Sequence, residues 1–119
     1  MIYLECLTKK DHDETFAPCI VRSQDLTHWE SSPHNPIMEF SDDDRRIANP
    51  NLNAEERRRI ATACNRNNSD VDLCEFNNDV VIYYSWGSQL GIEHLAEAVY
   101  RSTLESFLRG FFPSRGDGD

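Results

Sequence analysis

Asp70 and Asp72 stand two residues apart in Ser69-Asp70-Val71-Asp72, at the head of a β-rich run. In a strand, the period of two puts both carboxyl groups on one face. From there either could accept a hydrogen bond from a hydroxyl or tune a facing acid. The plainer alternative is that Asp70 caps a turn and Asp72 pairs with an arginine. Further along, Trp86-Gly87-Ser88-Gln89-Leu90-Gly91-Ile92-Glu93 contains a glycine-bracketed loop. There Trp86 could stack on the C–H face of a pyranose, Gln89 could bond its hydroxyls, and Glu93 adds a carboxylate, making this stretch the best substrate-contact candidate. A Trp at a strand end is also common as simple packing. Glu75 falls on the opposite face from Asp72 and reads as a solvent-side or interface residue.

Metal chemistry finds little support in the same residues. Asp11-His12-Asp13-Glu14 sits in a hairpin turn, where adjacent side chains diverge, and reads as solvated turn. Asn65, Asn67 and Ser69 have the spacing of a calcium loop, but the central glycine is missing and position twelve is Phe76, which has no oxygen ligand. Cys6, Cys19, Cys64 and Cys74 contain no C-x-x-C pair. Reduced, partly buried thiols with no disulfide are expected, and neither a metal nor another cofactor.

The elements that must position these groups are mostly strands. Ile2 to Thr8 and Phe16 to Ser23 read as a hairpin around a polar turn, followed by the loop that closes on Trp29. Asn53-Ala54-Glu55-Glu56 is a capping box and predicts a short surface helix over about 54–64, whose apolar side is only Ile60, Ala61 and Cys64. Val71 to Phe76 and Val80 to Trp86 flank Asn77-Asn78-Asp79 as a second hairpin. Ile92 to Tyr100 is ambiguous, with periodicity favouring a helix. Leu104, Phe107, Leu108 and Phe111 predict a C-terminal helical turn.

Two stretches carry a resemblance: Val21-Arg22-Ser23-Gln24-Asp25-Leu26-Thr27-His28-Trp29-Glu30, and Asn68 to Phe76 continuing through Tyr83-Tyr84-Ser85-Trp86-Gly87. Together they resemble blades of the five-bladed β-propeller glycosidases, the superfamily of arabinanases, β-xylosidases and invertases. The resemblance covers about Tyr3 to Phe111. It implies a mostly β fold of about two to two and a half blades: one blade over 1–40, a linker with its helix over 41–68, a second blade over 69–113 and a tail over 114–119. It also implies that 91–100 is an outer strand rather than a helix. Asp70 and Asp72 become the catalytic candidates on an inner strand, and Trp86, Gln89 and Glu93 the substrate-binding ones. A blade needs roughly 40 to 50 residues and five blades about 200 to 250, so this chain supplies about half. The expected function is that of a glycoside hydrolase-like protein that acts on or binds carbohydrate and is incomplete as a catalyst alone. Its open inter-blade faces call for a homo-oligomer or a missing N-terminal half. The alternatives are a self-assembling, non-catalytic carbohydrate-binding or protein-interaction module, and a truncated reading frame without independent function.

Composition narrows the classes. A length of 119 residues with 39% hydrophobic and 28% charged side chains fits one globular domain. A net charge of -9 disfavours a nucleic-acid partner, since phosphate contacts need Lys and Arg. Arg57-Arg58-Arg59 directly follows Glu55-Glu56 and reads as a solvated helix face. With no long apolar run and no basic, apolar leader at Met1, the sequence predicts a soluble cytoplasmic chain with no membrane partner.

Overall fold

The computed structural model describes residues 2–10, 13–88 and 91–113, with side chains for 15–88 and 91–113. Asp11 and His12 therefore lie outside the described residues. Strands β1 (Ile2–Lys10), β2 (Asp13–Arg22) and β3 (Glu30–Ser31) form one antiparallel sheet, with Ile2 opposite Val21 and Arg22 opposite Glu30. Strands β4 (Asn67–Phe76), β5 (Asp79–Gly87) and β6 (Glu93–Tyr100) form a second, with Glu75 opposite Val80 and Val81 opposite Val99. Helices α1 (Ala54–Thr62) and α2 (Leu104–Phe111) complete the fold. None of the described helices is long and apolar enough to cross a membrane, which leaves β-barrels unaddressed.

Local chemistry explains the connections after β2 and between β4 and β5. Between β2 and β3, Asp25 Oδ1 accepts from the amides of Thr27 and His28, and Leu26 adopts φ 61°. The His28 amide, together with the His28 ring, holds the exposed Asp25 carboxyl well below the usual carboxylate range. Beyond β3 the edge of β2 is continued by a side chain. Asn35 Oδ1 accepts from the Ile20 amide at 2.8 Å while its Nδ2 donates to the Ile20 carbonyl at 2.9 Å, so this amide stands in for a strand peptide. The Ile37 amide then donates to the Pro18 carbonyl at 2.8 Å, and the intervening Asn35–Pro36 peptide is cis. At the second hairpin, Asn77 and Asn78 have φ 50° and 65°, the two positive values that a tight two-residue turn matching strand twist requires.

The crossing segment between the two sheets, residues 32–66, is pinned at a few points. Asp44, in a 3-10 turn over Asp42–Arg45, accepts from Tyr84 Oη (2.8 Å), the Ser41 amide (2.9 Å) and Asn65 Nδ2 (2.7 Å). Burial and the bond to Asp44 raise the Tyr84 hydroxyl above its ordinary pKa. Helix α1 has no buried residue and touches the core through Ile60. Its capping box is present as the sequence predicts: Asn53 Oδ1 accepts from the Glu56 amide at 2.9 Å, and Glu56 Oε2 accepts from the Asn53 amide at 2.8 Å. Asn53→Ala is expected to cost about 1 kcal/mol. Because α1 is peripheral, the loss should show as weaker amide-exchange protection over 54–62, with little change in the global urea midpoint.

The core lies between the second sheet and α2, where Val71, Val80, Ile82, Tyr84 and Trp86 pack with Phe107. Thr103 Oγ1 caps α2 by accepting from the Ser106 amide, and Glu75 Oε2 accepts from the Leu104 amide at 2.6 Å. Glu75 is thus a helix cap reaching off the sheet. The far end of α2 reaches the first sheet. Ser32 Oγ donates to the Phe111 carbonyl at 2.7 Å, and the Arg22 guanidinium lies 4.4 Å from the centre of the Phe112 ring. The two sheets also meet directly where β2 packs beside β4. There Asn67, fully buried, accepts from the Phe16 amide through Oδ1 at 2.7 Å and lies with Nδ2 3.5 Å from the Gly87 carbonyl. Of the cysteines, Cys19 is half-buried, Cys64 and Cys74 are exposed free thiols, more open than the partly buried state that the sequence predicts, and the side chain of Cys6 lies outside the described residues.

Candidate functional site

Strand β4 opens with three consecutive buried polar residues, Asn67, Asn68 and Ser69, and then breaks register. Ser69 lies opposite Ser85 and Asp72 opposite Tyr83, so Asp70 and Val71 together oppose the single residue Tyr84. This is a β-bulge, and its first residue, Asp70, has φ 51°. An aspartate is among the few side chains that tolerate that conformation. The register shifts here, yet exposure still alternates along Ser69-Asp70-Val71-Asp72. Both are exposed, with the core residue Val71 between them. Asp70 Oδ2 accepts from Ser69 Oγ at 3.3 Å, and Asp72 Oδ1 accepts from the Leu73 amide at 2.9 Å.

Trp86 departs from the expected open stacking face. Its side chain is 2% exposed, its ring stacks on His94 at 4.5 Å and 27°, and the Arg45 guanidinium lies 5.6 Å from its centre. The open aromatic face that a sugar would need is covered, and Trp86 belongs to the packing. Gln89 lies outside the described residues. Glu93 begins β6 directly opposite Gly87 and is exposed, and its carboxylate leans over the Gly87 backbone. A Cβ on Gly87 would stand 2.7 Å from Glu93 Oε2, and Gly87 has φ 154°. The absence of a side chain at 87 is therefore what lets the Glu93 carboxylate lie there. Gly87→Ala is expected to destabilise by about 1–3 kcal/mol, through both backbone strain and eviction of that carboxylate. Chemical denaturation measures the cost, and shifted Glu93 and Asn67 resonances would report the eviction.

The second sheet thus gathers carboxylates at one end. Asn67, Gly87 and Glu93 form a row across its three strands, and Asp70 follows three residues along β4. A carboxylate can accept hydrogen bonds from hydroxyls, and the described residues hold no group of three or more His, Cys, Asp or Glu side chains arranged for a metal. No match to this chain is found among protein family models, curated proteins or solved structures.

Two features escape the sequence reading. One is the burial of Asn67, Asn68 and Ser69. Both side-chain polar atoms of Asn68 lack a hydrogen-bond partner although the residue is 0% exposed. Three polar residues running straight into an apolar strand are the available signal, because polar residues at core positions mark a special role. The other is a groove of about 620 Å³ between the crossing segment, at Ile47, Leu52 and Ile60, and β6, at Leu95 and Glu97. The Tyr83 hydroxyl is hydrogen-bonded to Glu97 there, and that bond raises its pKa.

Proposed function

We propose that this chain is a carbohydrate-binding unit of the five-bladed propeller glycosidase type, its two sheets being successive blades. The observation that carries the reading is the bulge at the start of β4, which holds Asp70 exposed at positive φ directly after three buried polar residues. Backbone held in a sparsely populated region by a rigid surround is a recurrent feature of ligand sites. Asp70 is the principal sugar contact, Asp72 lies beside it on the same strand, and Glu93 serves the same end of the sheet. Hydrolysis needs two carboxyl groups on either side of the glycosidic bond, about 5 to 9.5 Å apart depending on mechanism. Asp70 and Asp72 leave one strand and cannot straddle a sugar, so turnover requires a carboxyl group from another blade, in a longer chain or a partner.

Calorimetric titration with arabino-, xylo- and fructo-oligosaccharides tests the reading. Millimolar or tighter binding of at least one series is expected, weakened at least fivefold, or about 1 kcal/mol, by Asp70→Asn with unchanged circular dichroism. Absence of binding to all three series, or equal binding by the variant, would contradict it.

A further inference from the structure

Strand β6 pairs with β5 on one side only, and from His94 to Val99 no described hydrogen bond reaches its outer edge. A free edge of that length is a template for another strand, and proteins that avoid such pairing blunt the edge with Lys, Pro, a bulge or a covering segment. Strand β6, Glu-His-Leu-Ala-Glu-Ala-Val-Tyr, has neither Lys nor Pro, its charged residues are Glu93 and Glu97 alone, and its register against β5 runs unbroken. No described backbone hydrogen bond joins the crossing segment to this edge, and the groove described above lies between them. Leu95 is 74% exposed and Val99 41%, both on the face turned away from the core.

We infer that β6 is a self-pairing edge, along which two copies of this chain join antiparallel, about Ala96, into one six-stranded sheet. A two-fold arrangement pairs each residue with one whose number completes a fixed sum. Paired residues must share a face, so that sum must be even. Two such registers use nearly the whole strand. One centres on Glu97 and sets that carboxylate directly against its copy, a destabilising like-charge pair. The other centres on Ala96 and sets no like charges directly opposite: Leu95 faces the second copy's Glu97, His94 its Ala98 and Glu93 its Val99. In that register Leu95 lies diagonal to the second copy's Leu95 and Val99, so the exposed apolar residues cover one another. The pairing meets the sugar site only at Glu93, the first residue of β6, while the principal sugar contact, Asp70, lies on β4 at the opposite edge of the sheet. Each copy carries -9, so their repulsion weakens the pairing at low salt, and added salt should strengthen it.

Sedimentation velocity on the full chain up to roughly millimolar concentration tests this, at about 0.15 M salt where the screening length is about 8 Å. Leu95 supplies the decisive variants, because so exposed a side chain can be changed without disturbing the fold. A discrete dimer is expected for the unaltered chain. Leu95→Asp, which faces the second copy's Glu97 at both symmetric positions, should raise the dissociation constant at least tenfold, whereas Leu95→Lys should dimerise at least as well as the parent. Hydrogen exchange on the unaltered chain should show β6 amides gaining protection with concentration. A parent chain that stays monomeric, an Asp variant that dimerises equally, a Lys variant that does not dimerise, or concentration-independent β6 exchange would each overturn the pairing.

Discussion

Trp86→Ala is expected to destabilise the chain by about 3–5 kcal/mol. Trp86 is the largest of the fully buried side chains, at the centre of the cluster that joins the second sheet to α2. Truncation removes the ring that stacks on His94 and empties a space bordered by sheet residues already held in place by β-pairing, so collapse can fill little of it. A loss of this size is a large fraction of the 5–15 kcal/mol by which domains are ordinarily stable. Urea unfolding followed by circular dichroism measures it, with Trp86→Phe expected to retain about half the lost stability. A cost below about 1 kcal/mol would mean that Trp86 is a surface residue, and would restore the exposed stacking face that its burial excludes.

Asn67→Ala ranks next, at about 2–4 kcal/mol. Its carboxamide satisfies the Phe16 amide of the first sheet and lies beside the Gly87 carbonyl of the second, and the side chain is fully buried. Removing it strands a part-buried donor, which costs about 1–3 kcal/mol, and adds the cavity left by the lost atoms. Because this contact joins the two sheets, the variant should also lose cooperativity. Exchange protection over β2 should fall before that over β5, whereas in the parent chain both should fall together. Equal protection in both sheets, with a loss below about 1 kcal/mol, would show that the sheets are held by other contacts.

How much of this was legible varies with the kind of signal. The two Asn residues of the second hairpin, the capping box at Asn53 and the helical spacing ending at Phe111 are local signals, and local structure follows them. Residues 92–100 carry an apolar pattern that fits a helix, yet 93–100 form strand β6, as the resemblance to propeller blades implies. Pairing with β5 decides the matter, setting Ala96 and Ala98 toward the core and Leu95 and Val99 outward, a tertiary effect that periodicity cannot carry. The candidate site was legible in its residue types and only partly in its geometry. Asp70-Val71-Asp72 alternates on paper and in exposure, yet nothing in three residues announces that two of them will share one partner across the sheet. Trp86 and Glu93 flank the same loop in sequence, but burial separates them: the ring turns inward against His94 and the carboxylate lies over a glycine. Asn35 and Asn67, which replace backbone partners at strand edges, resemble ordinary loop asparagines until the strands they serve are in place.

The most direct measurement is a two-dimensional amide NMR titration of the chain with the oligosaccharide series that binds best. Saturable shifts are expected at Ser69 to Leu73 and at Gly87 and Glu93, with β6 beyond His94 unmoved and the shifts lost in Asp70→Asn. Shifts confined to the groove around Leu52, Ile60 and Leu95, or none at saturating sugar, would contradict a carbohydrate site at the bulge of β4.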